Sequence, residues 1–215
     1  MISSGLSRYL NLRMAIKPRE GLQITVIEMV NLRKQPGLQD LTNMMRNKSG
    51  SRWGNQIGLF LLPLHYHKDV DALRYVKRAK AILDQKKQSW EAQFSYWVGH
   101  IVMSLFGPKV VSFFTYRIFC NTSFMISNIV GPQEEIMIAG NPITFLRANV
   151  SSLPHAITMH MVSYAGRADM QILVAKEIIP DPQVLAKCIQ DALLEMKDAA
   201  TALATTNSIE EGNFS

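Results

Sequence analysis

A chain of 215 residues is long enough to bury a core as one domain or two small ones, and 47% apolar against 19% charged residues excludes a disordered polymer. The net charge of +6 suits anionic partners such as nucleic acid, membrane headgroups or a phosphorylated cofactor, and selects none of them. Two cysteines, Cys120 and Cys188, exclude a disulfide framework and lack metal-ligand spacing, so a reducing compartment is expected.

Residues 1–19 have no continuous apolar segment of the secretory kind, although Arg8, Arg13, Lys17 and Arg19 precede the first acid, Glu20, as in transit peptides. Ile2, Leu6, Tyr9 and Leu10 share one face at helical spacing, so an amphipathic helix is expected there. Residues 22–32 are rich in Ile and Val and read as a strand ended by Asn31-Leu32-Arg33. A turn at 34–37 containing Pro36-Gly37, a short helical pattern at 38–46 and a polar, basic stretch at 47–52 follow. Trp53-Gly54-Asn55 then opens the apolar run 57–64, which fits a buried strand and is too short to span a membrane.

Residues 69–87 turn helical, with Leu73, Val76, Ala79 and Leu83 spaced to face a core. Arg74, Lys77, Arg78, Lys80, Lys86 and Lys87 crowd the remaining surface, which either meets phosphates or is simply solvated. A second helix, 89–106, takes Ser89 as its cap, and Trp90, Phe94, Tyr96 and Trp97 spread over more than one face, which predicts packing on several sides. Residues 92–108 contain no Asp, Glu, Lys or Arg, but Gln93, Ser95, His100 and Ser104 interrupt the run and Gly107-Pro108 halts it. A buried or interfacial helix is therefore expected rather than a spanning one. The apolar stretch 110–119, with Arg117 its one basic residue, leads into the central strand.

That strand lies in residues 121–145, around which the chain is organised. Phe124, Ile126, Ile129 and Val130 favour an extended buried run, and Gly131-Pro132 ends it because proline brings no N–H. Ile136-Met137-Ile138 and Ile143-Thr144-Phe145 flank a tight reversal at Ala139-Gly140-Asn141-Pro142. The polar pair Ser127-Asn128 thus sits at the end of an apolar strand, where it faces a cleft or where Asn128 closes a turn through its own backbone. Further on, 157–164 and 169–174 form two extended runs joined across Ala165-Gly166-Arg167. Asp181-Pro182 start the last helix as cap and first residue, and Leu185, Cys188, Ile189, Ala192, Met196 and Ala199 line one stripe. From Thr205 the chain is polar and expected to fray. One α/β unit with a largely antiparallel sheet covered by helices accommodates these elements.

Catalytic motifs are scarce. His65-Tyr66-His67, with Asp69 and Asp71 nearby, puts two imidazoles on one face of a strand, yet no third-ligand motif accompanies them and no metal is expected. His155 and His160 lie five apart and would face opposite sides of a strand, so they form no pair. There is no G-x-S-x-G elbow, no glycine-rich phosphate loop and no nucleic-acid reader motif.

The ordered blocks Ser4-Gly5-Leu6-Ser7-Arg8-Tyr9-Leu10, Val30-Asn31-Leu32-Arg33 with Pro36-Gly37, Arg52-Trp53-Gly54-Asn55, Ala79-Lys80 with Lys86-Lys87, Ser127-Asn128 with Gly131-Pro132-Gln133-Glu134-Glu135, and Ser163-Tyr164 resemble the C-terminal domain of plant wax ester synthase/diacylglycerol acyltransferases. The resemblance implies an O-acyltransferase C-terminal domain over residues 1–204, followed by a disordered tail at 205–215. It implies an α/β fold that is the C-terminal half of a chloramphenicol acetyltransferase-like, condensation-domain-like pair, with a largely antiparallel or mixed sheet and a tunnel between halves. The implied reaction moves a fatty acyl group from acyl coenzyme A to a long-chain alcohol or diacylglycerol, with a histidine as general base on the hydroxyl.

In that family the base belongs to an HHxxxDG motif in the N-terminal half, and this sequence has no His-His pair. Met1 falls just past the family's Asn-Asp pair, so a truncated product, a partial chain or an alternative start is expected, inactive alone. By resemblance, no residue here is catalytic, while Ser127, Asn128, Gly131 and Pro132 line or shape the tunnel. Arg74, Lys77, Arg78, Lys86 and Lys87 are the candidates to meet coenzyme A phosphates or headgroups. No bound cofactor is implied; acyl coenzyme A is a co-substrate, and the lipid alcohol or diacylglycerol, a membrane surface, and the missing half or a full-length relative are the implied partners, without nucleic acid. The implied location is peripheral, on the cytosolic side of the endoplasmic reticulum or plasma membrane, or else cytoplasmic. The alternative is a non-catalytic module that binds lipid or acyl coenzyme A, or docks on a full-length relative as a regulator.

Overall fold

The computed structural model describes residues 1–14, 18–33, 56–66, 71–150 and 154–212, with side chains described as far as 205. The expected turn at 34–37, helix at 38–46, basic stretch at 47–52 and opening Trp53-Gly54-Asn55, together with His67 and Asp69, lie outside the described residues. The chain divides into two compact units, one of Met1–Thr25, Pro63–Gln88 and Val174–Ser215, the other of Val26–Leu62 and Ser89–Leu173.

The first unit is built on helices α1 (Ile2–Arg13), α2 (Ala72–Gln88) and α5 (Pro182–Gly212). Leu6 and Tyr9 of α1 and the α5 stripe Leu185, Cys188, Ile189, Ala192 and Met196 are buried, as their helical spacing requires. The two helices approach so closely at Gly5 that a Cβ there would stand 2.6 Å from the Ile189 Cα. Asp181 does more than start α5. Its carbonyl accepts from the Val184 N–H at 3.0 Å, while its carboxylate accepts from the Tyr9 hydroxyl at 2.7 Å and pairs with Arg13. Helix α5 continues past Thr205, where the sequence suggests a tail.

Helix α2 corrects the expected core face. Its buried residue is Tyr75, with Ile82, Leu83 and Lys86 half-buried beyond it, whereas Val76 and Ala79 are exposed. The buried side of the helix is thus turned by about one residue's rotation from the expected face, onto the Tyr75 ring.

The sheet has the order β2-β1-β3-β6-β7, from β1 (Gln23–Asn31), β2 (Ile57–His65), β3 (Phe124–Val130), β6 (Ile157–Tyr164) and β7 (Arg167–Val174). Strands β1, β3 and β6 run parallel in its centre. The Tyr66 N–H bond to the Leu22 carbonyl and the Leu32 N–H bond to the Gln56 carbonyl make β2 antiparallel to β1. A two-residue turn, Ala165-Gly166 with φ of 46° and 75°, folds β7 back on β6. The sheet is therefore mixed, one of the two forms the resemblance implies, and its parallel centre differs from the largely antiparallel sheet expected from the elements alone. Parallel neighbours need long crossovers, and between β2 and β3 the chain forms α2 and then α3 (Glu91–Phe106) and α4 (Pro108–Cys120).

In the second unit, α3 and α4 are joined at Gly107, whose φ of 77° a side chain would strain, and Pro108 opens α4 where its missing N–H is not needed. Trp90 occupies the cap position of α3, and Ser89 Oγ is 3.5 Å from the Glu91 N–H, too far for the expected cap. Neither helix has a buried residue. Trp90, Phe94 and Trp97 are 78%, 69% and 60% exposed, so the expected packing on several sides does not occur. Among the described residues no helix is long and apolar enough to cross a membrane. The short strands β4 (Met137–Ile138) and β5 (Asn141–Pro142) complete the unit as a hairpin.

Candidate functional site

Strand β3 is buried from Phe124 through Ser127 except for half-buried Ile126, and it emerges at Asn128, Ile129 and Val130. Its polar pair straddles that boundary. Asn128 closes no turn: it lies within the strand, opposite Met161 of β6. Ser127 lies opposite His160 on one side and Met29 of β1 on the other, so these three share one face of the sheet and Asn128 takes the opposite face.

Beyond Val130 the chain does not leave β6. The Gly131 N–H donates to the Ser163 carbonyl at 2.9 Å, and the Ala165 N–H donates to the Pro132 carbonyl at 3.0 Å. A Cβ on Gly131 would lie 2.4 Å from the Ser163 oxygen. Glycine is required by that close approach, since no left-handed φ occurs there. Proline ends the donor ladder, and its carbonyl still closes the strand against the Ala165 turn.

Tyr164, buried in β6, anchors the next segment. Its hydroxyl donates to the Ile143 carbonyl at 2.7 Å and accepts from the Ile136 N–H at 2.8 Å, tying both ends of the β4–β5 hairpin. The hairpin turns at Ala139-Gly140 with φ of 48° and 78°, earlier than the four-residue reversal expected from Ala139 to Pro142. Arg147 stacks 4.2 Å above the Phe145 ring beyond it.

His160 is the residue that sequence reasoning passed over. It is only 2% exposed, and neither ring nitrogen has a hydrogen-bond partner among the described residues. Burial pushes its pKa down from the ordinary histidine value, so the neutral imidazole is favoured beside Ser127. His155 lies apart from it, before β6, with Nε2 2.8 Å from Thr122 Oγ1 and its ring beside Phe119. Burial is the larger influence on His155 and lowers its pKa, against a hydrogen bond to the Phe119 backbone that raises it. The two histidines form no pair, for a reason other than strand alternation: one of them is not on the strand. The register that brings His160 to Ser127 joins segments more than thirty residues apart, and no local sequence signal carries it.

The basic candidates belong to the first unit. Arg74, Lys77 and Arg78 are exposed within one arc of α2, Lys87 is exposed on another, and Lys86 is half-buried on the side of Tyr75. The five cations thus do not form one continuous cluster. His65 ends β2, and among the described residues no three His, Cys, Asp or Glu side chains are placed to hold a metal.

The WS/DGAT C-terminal domain family model matches residues 53–197. The chain is 38% identical over 207 residues to wax ester synthase/diacylglycerol acyltransferase 2 of Arabidopsis thaliana, covering 93% of this chain and 43% of that protein. It is 34% identical over 203 residues to wax ester synthase/diacylglycerol acyltransferase 11 of the same plant, covering 91% and 42% respectively. Among solved structures it is similar to the wax ester synthase/diacylglycerol acyltransferase from Marinobacter aquaeolei VT8, with a TM-score of 0.56 at 16% identity over 93% of this chain and 42% of that one. At that identity the likeness speaks for the fold, the α/β arrangement of a chloramphenicol acetyltransferase-like half. The chain spans less than half the length of the relatives it matches. A family model that matches more than half of the chain, with plant relatives aligned over almost all of it, makes this protein a member of the WS/DGAT C-terminal domain family.

Proposed function

We propose that this chain supplies the C-terminal half of an acyltransferase that moves fatty acyl groups from acyl coenzyme A to a long-chain alcohol or diacylglycerol. The observation that carries the reading is the family membership. The end of β3 is the part of this half that meets substrate: Ser127 and Asn128 line the acyl tunnel, and Gly131 and Pro132 shape it by holding the strand on β6. Of the basic residues on α2, Arg74, Lys77 and Arg78 share one arc and are the ones that meet the phosphates of coenzyme A, while Lys86 and Lys87 lie outside that arc.

Deprotonating a poor nucleophile needs a general base beside the acceptor hydroxyl. The 215 residues contain no HHxxxDG, and His160, though neutral, is buried. The base therefore comes from a different polypeptide segment, and the purified chain forms no ester by itself. The test is a chimera that places the HHxxxDG-bearing half of the Arabidopsis relative ahead of this chain. It is expected to form ester from acyl coenzyme A and a long-chain alcohol. Ser127→Val in that chimera lowers turnover by about tenfold through loss of one positioned hydrogen-bonding group. A folded chimera without ester synthesis would overturn the proposal.

A further inference from the structure

Strand alternation assigns a face to Tyr164. On β6, Thr158, His160 and Val162 lie opposite Met125, Ser127 and Ile129 of β3, and Tyr164 is the next residue on that side. Its ring is buried, and its hydroxyl stands between the two ends of the β4–β5 hairpin. The hairpin is therefore tied to the Ser127 side of the strand end, the side opposite Asn128. Beyond the hairpin the chain returns to the same place, with Leu146 Cδ2 3.6 Å from where a Cβ on Gly131 would lie.

The hydroxyl takes the place of a backbone rung. Met137 pairs with Pro142 and Ile138 with Asn141, so Ile136 and Ile143 are the next opposite pair. Residues at a hydrogen-bonded position of an antiparallel ladder exchange both of their N–H···O bonds. Here only one exchange is direct, from the Ile143 N–H to the Ile136 carbonyl at 2.8 Å. The other runs through Tyr164: the Ile136 N–H donates to the hydroxyl at 2.8 Å, and the hydroxyl donates to the Ile143 carbonyl at 2.7 Å. A phenol suits that place because it accepts and donates at once. With two residues on each side, one of them Pro142, the hairpin is too short to hold itself, so this bracket fixes where it lies.

We propose that Tyr164 is a positioning residue whose hydroxyl fixes the β4–β5 hairpin as an apolar wall on the Ser127 side of the β3 end, and that this wall sets how long an acyl chain the site takes. The inference rests on the reading of that strand end as the acyl site and adds the element that gauges the chain. Tyr164 touches no substrate and acts through Met137 and Ile138, which the hairpin leaves exposed. Methionine and isoleucine make no hydrogen-bonding demand on a ligand, so such a wall discriminates by length and shape. Gly131 and Ser163 serve the same device. The Gly131 N–H bond to the Ser163 carbonyl and the Ala165 N–H bond to the Pro132 carbonyl keep the segment that leads into the hairpin on β6.

One arm of the test needs no activity. In the chain alone, Tyr164→Phe keeps the ring and removes the hydroxyl, and amide hydrogen exchange across 133–145 is expected to speed up by about tenfold or more while β3 and the rest of β6 keep their rates. In the chimera with the HHxxxDG-bearing half, the same variant is expected to lower the ratio of kcat/KM between a long and a short acyl coenzyme A by about tenfold, with kcat for the preferred chain within about twofold. Met137→Ala with Ile138→Ala, at exposed positions with the bracket intact, shifts that ratio and leaves the thermal transition in place. Unchanged exchange in Tyr164→Phe would overturn the bracket. An unchanged ratio in either variant of an active chimera, or an equal fall in rate for every acyl chain, would overturn the gauging role and leave the acyl-transfer reading standing. An unaltered chimera that forms no ester overturns that reading and the gauging role with it, and exchange in the chain alone still decides the bracket.

Discussion

Helices α1 and α5 turn their large apolar side chains toward each other, whereas α3 turns its small residues to its own unit and its large ones away. Both arrangements obey the same 3.6-residue spacing. In the first unit Gly5 permits close approach, and Leu6, Tyr9, Leu185 and Ile189 fill the contact. In the second, Ala92 and Ser95 permit close approach to β2, an edge strand whose Leu59 N–H would otherwise lack a partner. A small-residue stripe can therefore serve burial of the helix itself or presentation of its opposite face. Which one holds depends on what the large stripe meets.

Truncation tests that contrast most strongly. Leu185→Ala, at a fully buried position, is expected to cost about 3 kcal/mol in urea unfolding. Leu105→Ala is expected to stay within about 0.5 kcal/mol of the unaltered chain. Equal losses at the two positions would break the comparison, because α3 would then be packed in solution.

Glycine substitutions sharpen it next. Gly5→Ala forces a methyl group against the Ile189 backbone and is expected to cost about 2 kcal/mol, as is Gly131→Ala against the Ser163 carbonyl. Gly99→Ala in α3 meets nothing within 4 Å and is expected to stabilise by about 0.5 kcal/mol through helix propensity. Denaturant midpoints of the three variants give the order directly, and a destabilising Gly99→Ala would show that the small-residue face of α3 is closely packed there as it is at Ala92.

Acid distinguishes the buried histidines from the surface pair. The folded chain holds His160 and His155 neutral, with pKa values below the ordinary 6.5. The unfolded chain therefore binds more protons as pH falls through 6.5, and stability declines from there toward the depressed folded values. His160→Leu is expected to flatten that slope in pH-dependent melting, leaving the part due to His155. A slope identical to that of the unaltered chain would remove His160 from the account. The smallest effect is expected at the Arg8–Glu195 pair, where hydrogen bonding to Arg8 lowers the Glu195 pKa below 4.5. Its contribution is present above pH 4.5 and is lost as pH falls through the folded value. Both partners face solvent, so Glu195→Gln is expected to cost less than about 1 kcal/mol at neutral pH, less still in high salt.

Much of the backbone was legible locally. The Ile and Val run at 22–32 and the apolar run at 57–64 placed β1 and β2, Ala139-Gly140 placed a hairpin, and Asp181-Pro182 placed the start of α5. Helix α2 was found, but not its buried side: Leu73, Val76, Ala79 and Leu83 fit one helical face, while Tyr75 took the core. The exposure of Trp90 and Trp97 was missed because aromatic content alone does not say which side has a partner. The small residues Ala92, Ser95 and Gly99 were the available signal, spaced three and four apart along one face. At the strand end, Gly131-Pro132 announced the stop, whereas the pairing of Ser127 with His160 depends on inter-strand register. The sheet's parallel centre was hidden for the same reason, since strand neighbours are chosen across crossovers that local patterns do not encode.

The most direct test of the central claim is ester synthesis by the purified chain supplied with acyl coenzyme A and a long-chain alcohol or diacylglycerol. The account predicts no ester above the uncatalysed background, because the chain carries the strand end and no HHxxxDG base. Ester formed by the chain alone, and lost on His160→Leu, would contradict it and place a working base within these residues.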